Sequence, residues 1–240
     1  MLAERMNTFS GSPTSALIAK VAELRAEGKD IISLNVGEPD FGTPDYIKCG
    51  AIKAIVDNFS KYTAGNGIIE LRRLISKKLH EDNNLEYTTD EICATVGAKQ
   101  AIFNSIMALV DPGDEVLLPV PCWVSYTEMI KFAGAKPVFV DVETFDLDIE
   151  ALEKAVTTKT KAIVICTPNN PTGAVYSEGT LRKLADLACK YDFYIITDEI
   201  YEKLIYDDAK HFSIASISKD VWNRTLTVNG FSKAYAMTGW

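Results

Sequence analysis

AIVICTPNNPTGAVYSEGTLRKLADLACKYDFYIITDE, residues 162–199, decides the fold. It opens on five apolar residues (Ala162, Ile163, Val164, Ile165, Cys166), a continuous run of the kind found in strands covered on both faces. Residues 180–190 then read as a helix, and 193–197 as a second strand. Two strands joined by a helix imply a right-handed crossover and parallel pairing. The same alternation extends from about residue 91, with strands expected at 92–96, 115–119, 137–140 and 225–228 and helices at 100–109, 124–132 and 149–155. The expected class is therefore α/β, three layers with a mostly parallel sheet between helices. Ligands of such sheets bind beyond the carboxyl ends of the strands, so the loops there are the place to look for chemistry.

Before residue 91 the organisation is looser. Ser12-Pro13 opens a helix that runs over 12–27 and stops at Gly28, 31–34 reads as a short strand, and 35–40 is a loop rich in turn formers. Gly37 in that loop is either a turn glycine or a point of close backbone approach to a ligand. A helix over 44–56 and an amphipathic helix carrying Ile68, Leu71, Ile75 and Leu79 follow, separated by the loop 61–67.

Composition narrows the function. At 240 residues, 47% hydrophobic and 24% charged, the chain can bury a large core. A net charge of -8 without a basic run argues against a nucleic-acid surface. No apolar run has membrane-spanning length and the first ten residues lack a signal-peptide core, so the expected location is the cytoplasm, with no membrane partner. The five cysteines are odd in number and set mostly among apolar residues, the pattern of reduced core thiols. His80 and His211 stand in no ligand spacing, so no metal site is expected.

Four strand-end loops and one lysine carry the chemistry. Gly97-Ala98-Lys99 leads into a helix, either as a plain turn or as a phosphate cradle at the helix N-terminus. Trp123 follows the next strand, placed for core packing or for stacking on a planar heteroaromatic ligand. In Thr167 to Gly173 the prolines stiffen a turn, and Asn170 can offer a donor and an acceptor in a fixed direction. Asp198 ends a buried strand, where a carboxylate needs a cation or a strong donor unless it caps a helix, and Tyr201 lies one helical turn beyond. Lys233, among Phe231, Ala234, Tyr235 and Met237, is either a loop lysine or a desolvated amine with a lowered pKa suited to Schiff-base chemistry. An anion cradle, an aromatic face, a directed amide, a carboxylate with a phenol and such an amine are what a phosphorylated heteroaromatic aldehyde requires.

With those residues in place, the chain resembles the class I aminotransferases of pyridoxal-phosphate fold type I, the aspartate aminotransferase family. The motifs are GEPDF (37–41), KYTAGNGIIELR (61–72), GAKQAIFN (97–104), PCWVSY (121–126), PNNPTGAVY (168–176), DEIYEKLIY (198–206) and NGFSKAYAMTGW (229–240), in the family's order. The resemblance implies pyridoxal 5'-phosphate as cofactor. Lys233 would hold it through a Schiff base and move the proton during transfer. Asp198 would face the pyridine nitrogen and keep it protonated, while Tyr201 and Asn170 bind the ring's phenolic oxygen. Ala98 and Lys99 would form the phosphate turn, Ser232 would be among the cofactor-binding residues, Trp123 would stack on the ring, and Tyr62 would reach the phosphate of a neighbouring subunit, which implies a homodimer. Gly37, with Trp123 and Asn170, would contact substrate.

In the family's pattern Gly239-Trp240 is followed by a phosphate-binding arginine, an antiparallel strand inside the sheet, and a small domain with the arginine that clamps the substrate carboxylate. The expectation is thus a large cofactor-binding domain over 45–240, preceded by an arm and part of the small domain over 1–44, in a fragment that lacks the C-terminal small domain and turns over poorly by itself. The implied activity is exchange of an amino group between an L-amino acid, aspartate first with aromatic residues or alanine next, and a 2-oxo acid such as 2-oxoglutarate. A C-S lyase of the same fold shares the lysine and the aspartate. A cofactor-sensing regulator domain is a third alternative, disfavoured because no basic recognition helix precedes the motifs.

Overall fold

The computed structural model describes residues 3–7, 11, 13–34, 36–142 and 145–240, so the expected cap Ser12 and loop residue Asn35 lie outside the described residues. Five strands form the sheet: β1 Glu115–Val120, β2 Lys136–Asp141, β3 Thr160–Cys166, β4 Tyr194–Asp198 and β5 Thr225–Val228. Their order is β2-β1-β3-β4-β5 and every neighbouring pair is parallel. Around them lie α1 Pro13–Ala26, α2 Asp45–Val56, α3 Ile69–Asn83, α4 Gly97–Leu109, α5 Val124–Phe132, α6 Ile149–Ala155, α7 Glu178–Tyr191, α8 Lys219–Asn223 and α9 Phe231–Ala234.

The apolar runs are continuous because both faces are covered. Along β3, Ala162, Val164 and Cys166 face the cluster that holds Ile102 and Ile106 of α4 and Tyr126 and Ile130 of α5. Ile163 and Ile165 face the opposite cluster, with Leu152 of α6 and Leu181 and Leu184 of α7. Successive side chains alternate across a strand, so the parity of a residue fixes its layer. Side chains that the sequence places at helix starts act as caps: Asp148 accepts from the Ala151 amide, Ser177 from Thr180 and Ser218 from Val221.

Two expected strands are not strands. Residues 92–96 run from a short 3-10 turn (Thr89–Glu91) to α4 without joining the sheet, although Ile92 is extended and the Ala94 amide donates to Asn66 O. Residues 31–34 are likewise unpaired, and Ile32 and Leu34 stand exposed at 85% and 91%. An apolar run becomes a strand only where a neighbour takes up its amides and carbonyls, and composition does not reveal the neighbour. The cysteines differ too. All five are free, but only Cys166 is buried and Cys122 is partly covered, while Cys49, Cys93 and Cys189 are exposed. Apolar neighbours in sequence do not fix which way a thiol faces: Cys49 lies on α2, none of whose residues is buried.

Candidate active site

Asp198 is the last residue of β4 and shares the parity of Ile196, so its carboxylate points into the α4/α5 layer. It is 3% exposed, and two donors hold it: the Tyr126 hydroxyl reaches Oδ2 at 2.7 Å and the Ile200 amide reaches Oδ1 at 3.1 Å. The alternatives for this carboxylate resolve into strong donors, with no cation bonded to it among the described residues. Burial pushes its pKa from 3.8 to about 6, against the pull of those hydrogen bonds, and the neighbouring Glu199 adds to the rise.

The loop after β3 is built to aim Asn170. Its backbone closes on itself through Gly173 N–H to Asn169 O at 2.7 Å and Asn169 N–H to Ala174 O at 2.8 Å, and Gly173 takes a φ of +74° that favours glycine. The Asn169 amide ties the loop to the neighbouring strand end, donating to Pro121 O at 3.1 Å and to Thr172 Oγ1 at 2.9 Å. Asn170 Nδ2 then donates to the Tyr201 hydroxyl at 3.1 Å. Burial raises the Tyr201 pKa, so that hydroxyl keeps its hydrogen and can donate it onward.

Lys233 lies on α9, just past the end of β5. Asp198 pairs with Val228 across β4 and β5, and a Cβ on Gly230 would come within 2.9 Å of Ile200 Cδ1, so the two turns press together. The amine is 5.9 Å from the centre of the Tyr201 ring and donates to Gly37 O at 2.8 Å. Partial burial lowers its pKa, opposed by the charge of Glu38. Gly37 therefore meets the site through its carbonyl. The strap around it is held by Thr238 Oγ1 to Glu38 Oε1 and by Thr43 Oγ1 to Ala236 O, each at 2.5 Å.

Ala98 and Lys99 occupy the first turn of α4, whose opening amides have no partners within the helix. Gly97 starts that turn with a φ of +71°, and Gln100 Oε1 takes the Val96 amide at 2.7 Å. Lys99 Nζ sits 4.9 Å above the Trp123 ring, which brings cradle and aromatic face together. Ser232 lies beside Lys233 on α9, and Tyr62 stands fully exposed on the loop before α3, outside this cluster.

Two features went unread in the sequence. Tyr126 was quoted in a motif without a role, although its i,i+3 spacing from Trp123 was the signal that both face one side. Glu199, Glu202 and His211 bring ligand-type atoms within 4.8 Å of one another despite their sequence spacing. Here they form an ionic network: Lys78 Nζ bonds Glu202 Oε1, and Asn83 Nδ2 donates to Glu202 Oε2 at 2.7 Å. Glu199 Oε2 receives Ser213 Oγ at 2.6 Å and lies 3.0 Å from His211 Nε2. The Lys78 ammonium supplies the positive charge that a bound cation would bring.

Comparison with known proteins matches residues 29–240 to the model of the family described as aminotransferase class I and II. The chain is 47% identical to the aspartate/prephenate aminotransferase of Thermus thermophilus, aligning over 100% of its own length and 62% of that protein. A solved Thermus thermophilus aspartate aminotransferase with maleate superposes with a TM-score of 0.96 at 46% identity, covering 100% of this chain and 63% of that one. An aromatic aminotransferase from Pyrococcus horikoshii gives 0.86 at 43% identity, over 92% and 60%. The chain spans about three-fifths the length of the curated relatives it matches.

Proposed function

The chain belongs to the class I and II aminotransferase family, and from that premise we propose that it transfers an amino group between an L-amino acid and a 2-oxo acid with pyridoxal 5'-phosphate, aspartate and 2-oxoglutarate being the favoured pair. The observation that carries the reading is a buried carboxylate, Asp198, given neutral donors and no cation among the described residues, at the same strand ends as a half-buried amine. A buried anion of this kind suits a ligand that arrives with its own positive charge, as a protonated pyridine does. The Tyr201–Asn170 pair suits a phenolate oxygen, and the first turn of α4 suits a phosphate. The residues fit the cofactor.

Bound there, pyridoxal 5'-phosphate supplies a carbonyl for amines and a ring that draws electrons from the substrate's α carbon. Asp198 holds the proton on the ring nitrogen. Tyr201, polarised by Asn170, donates to the phenolic oxygen. Ala98 and Lys99 would bind the phosphate, with Ser232 among the cofactor's contacts, and Trp123 would cover one ring face. Lys233 would be the residue that holds the cofactor covalently and moves the substrate's α proton; its lowered pKa leaves more amine free for that role. Gly37, already within reach of that amine, marks the substrate side.

In this reading residues 45–240 form the cofactor-binding domain and 1–44 an arm with part of a second domain. The protein works as a cytoplasmic homodimer in which Tyr62 serves the partner's phosphate. The exposed apolar residues of and after α2, Ile52, Ile55, Val56 and Phe59, support such an interface. Among the described residues no helix is long and apolar enough to cross a membrane.

The test is the identity of the products. Loaded with pyridoxal 5'-phosphate and given aspartate and then 2-oxoglutarate, the protein should yield oxaloacetate and glutamate, and prephenate and aromatic 2-oxo acids belong in the same panel of acceptors. Release of ammonia and pyruvate from a cysteine conjugate in place of amino transfer would make it a C-S lyase. Failure to take up the cofactor would end both readings.

A further inference from the structure

We infer that Tyr126 is the positioning residue for Asp198: its hydroxyl keeps that carboxylate ionised and fixes the direction in which it faces the cofactor ring. The inference rests on the proposed pairing of Asp198 with the ring nitrogen and adds the group that makes the pairing possible.

Tyr126 is 1% exposed, in the first turn of α5, and its hydroxyl lies 2.7 Å from Asp198 Oδ2. Its ring meets Trp123 edge-on, with centroids 5.3 Å apart and planes at 88°, so the stacking aromatic and the carboxylate are braced by one side chain. The Ile200 amide holds the other oxygen at 3.1 Å. With one oxygen fixed from α5 and the other from its own turn, the carboxylate cannot rotate to another direction without losing a bond.

The charge argument runs the same way. Among the described residues, the titratable groups that act on Asp198 are Tyr126 from α5, Cys166 from β3, and Glu199 and Tyr201 from the turn that follows it. Each of these is neutral or negative, so none favours the carboxylate through positive charge. Burial and Glu199 both favour proton uptake by Asp198, and the Tyr126 hydroxyl, with the Ile200 amide, opposes it. Tyr126 stays a donor because burial, then the Asp198 charge, raise its own pKa well above the usual tyrosine value. A protonated Asp198 could not hold a second proton on the ring nitrogen.

Tyr126→Phe removes the hydroxyl and keeps the ring that fills the α5 layer. In the chain without cofactor, the Asp198 carboxyl, followed by carbon NMR of labelled aspartate, should titrate about one to two pH units higher in Tyr126→Phe. At neutral pH the variant should bind pyridoxal 5'-phosphate about tenfold more weakly. The carbocyclic analogue, with CH in place of the ring nitrogen, should bind both proteins equally. In an Asp198→Asn background the Tyr126→Phe change should alter neither affinity. An unmoved titration, or equal losses for cofactor and carbocyclic analogue, would overturn the inference. If the wild type itself does not distinguish the two compounds, the pairing of Asp198 with the ring nitrogen falls and takes the aiming role with it, while the titration still decides whether Tyr126 keeps the carboxylate ionised.

Discussion

Replacing Asp198 by Asn should make the cofactor-free protein more stable near pH 8 and less stable near pH 3.5. In the native state burial raises this carboxyl from 3.8 to about 6. Between those values the native protein binds more protons than the unfolded chain, so stability falls as pH rises through the window and stays lowered above it. A shift of about two units at 1.36 kcal/mol each makes the ionised side chain cost about 3 kcal/mol at pH 8. Asparagine carries no charge, but its NH2 cannot accept one of the two donors that Asp198 takes, from Tyr126 and Ile200, a loss of about 1 kcal/mol. The net expectation is a gain of about 2 kcal/mol at pH 8, turning into a loss of about 1 kcal/mol once wild-type Asp198 is protonated in both states. Urea unfolding of both proteins across this pH range reads the difference directly. Saturating pyridoxal 5'-phosphate should reverse the order at pH 8, because only the wild type gains an ion pair with the ring. A difference that stays constant with pH, or a wild type that is the more stable at pH 8 without cofactor, would refute the account of Asp198 as a carboxylate held at a cost.

Lys233→Ala should abolish both the long-wavelength absorbance that pyridoxal 5'-phosphate acquires on mixing with the protein and the mass increase fixed by borohydride; retention of either would move the covalent attachment to another amine. Asn170→Ala removes the 3.1 Å bond to the Tyr201 hydroxyl and should weaken cofactor binding about three- to tenfold, with little change in unfolding midpoint. Gly67 has a φ of +96° and a Cβ there would lie 2.7 Å from Ala94 Cβ, so Gly67→Ala should cost about 2 kcal/mol or more by denaturant unfolding.

The sheet was legible because parallel strands covered on both faces write themselves as unbroken apolar runs, and the runs before Cys166 and Asp198 could be placed to within a residue or two. Residues 31–34 and 92–96 carry the same composition, yet neither is paired. What separates them from β3 is the presence of a neighbouring strand, a fact about distant sequence that no local pattern encodes. The site divides in a similar way. Residues that end strands, Asp198 and the loop with Asn170, could be read because their position beyond the sheet already says where they face. Tyr126 offered only its spacing from Trp123, because a helix residue finds its partner only when the register of α5 over β4 is known. Glu199 was hidden for the same reason: its partner Asn83 belongs to α3, more than a hundred residues earlier.

The placement of Asp198 and Asn170 owes more to the sheet than to their own loops. The ladder continues one step past the strands, with the Thr167 amide on Asp198 O at 3.1 Å and the Glu199 amide on Val228 O at 2.8 Å. Those two bonds fix the first residue of the Asn170 loop against the backbone of Asp198, and the residue after Asp198 against the end of β5, which leads to Lys233. A slip of one residue in the β3–β4 register would send Asp198 to the α6/α7 face, away from Tyr126, while Ile196 and its neighbours exchanged layers. Both clusters depend on the present parity: Ile195 is fully buried with Phe193 and Leu184 on one side, and Ile196 with Ile102 and Val164 on the other. The apolar packing that selects the register thereby also selects the direction in which the Asp198 carboxylate points.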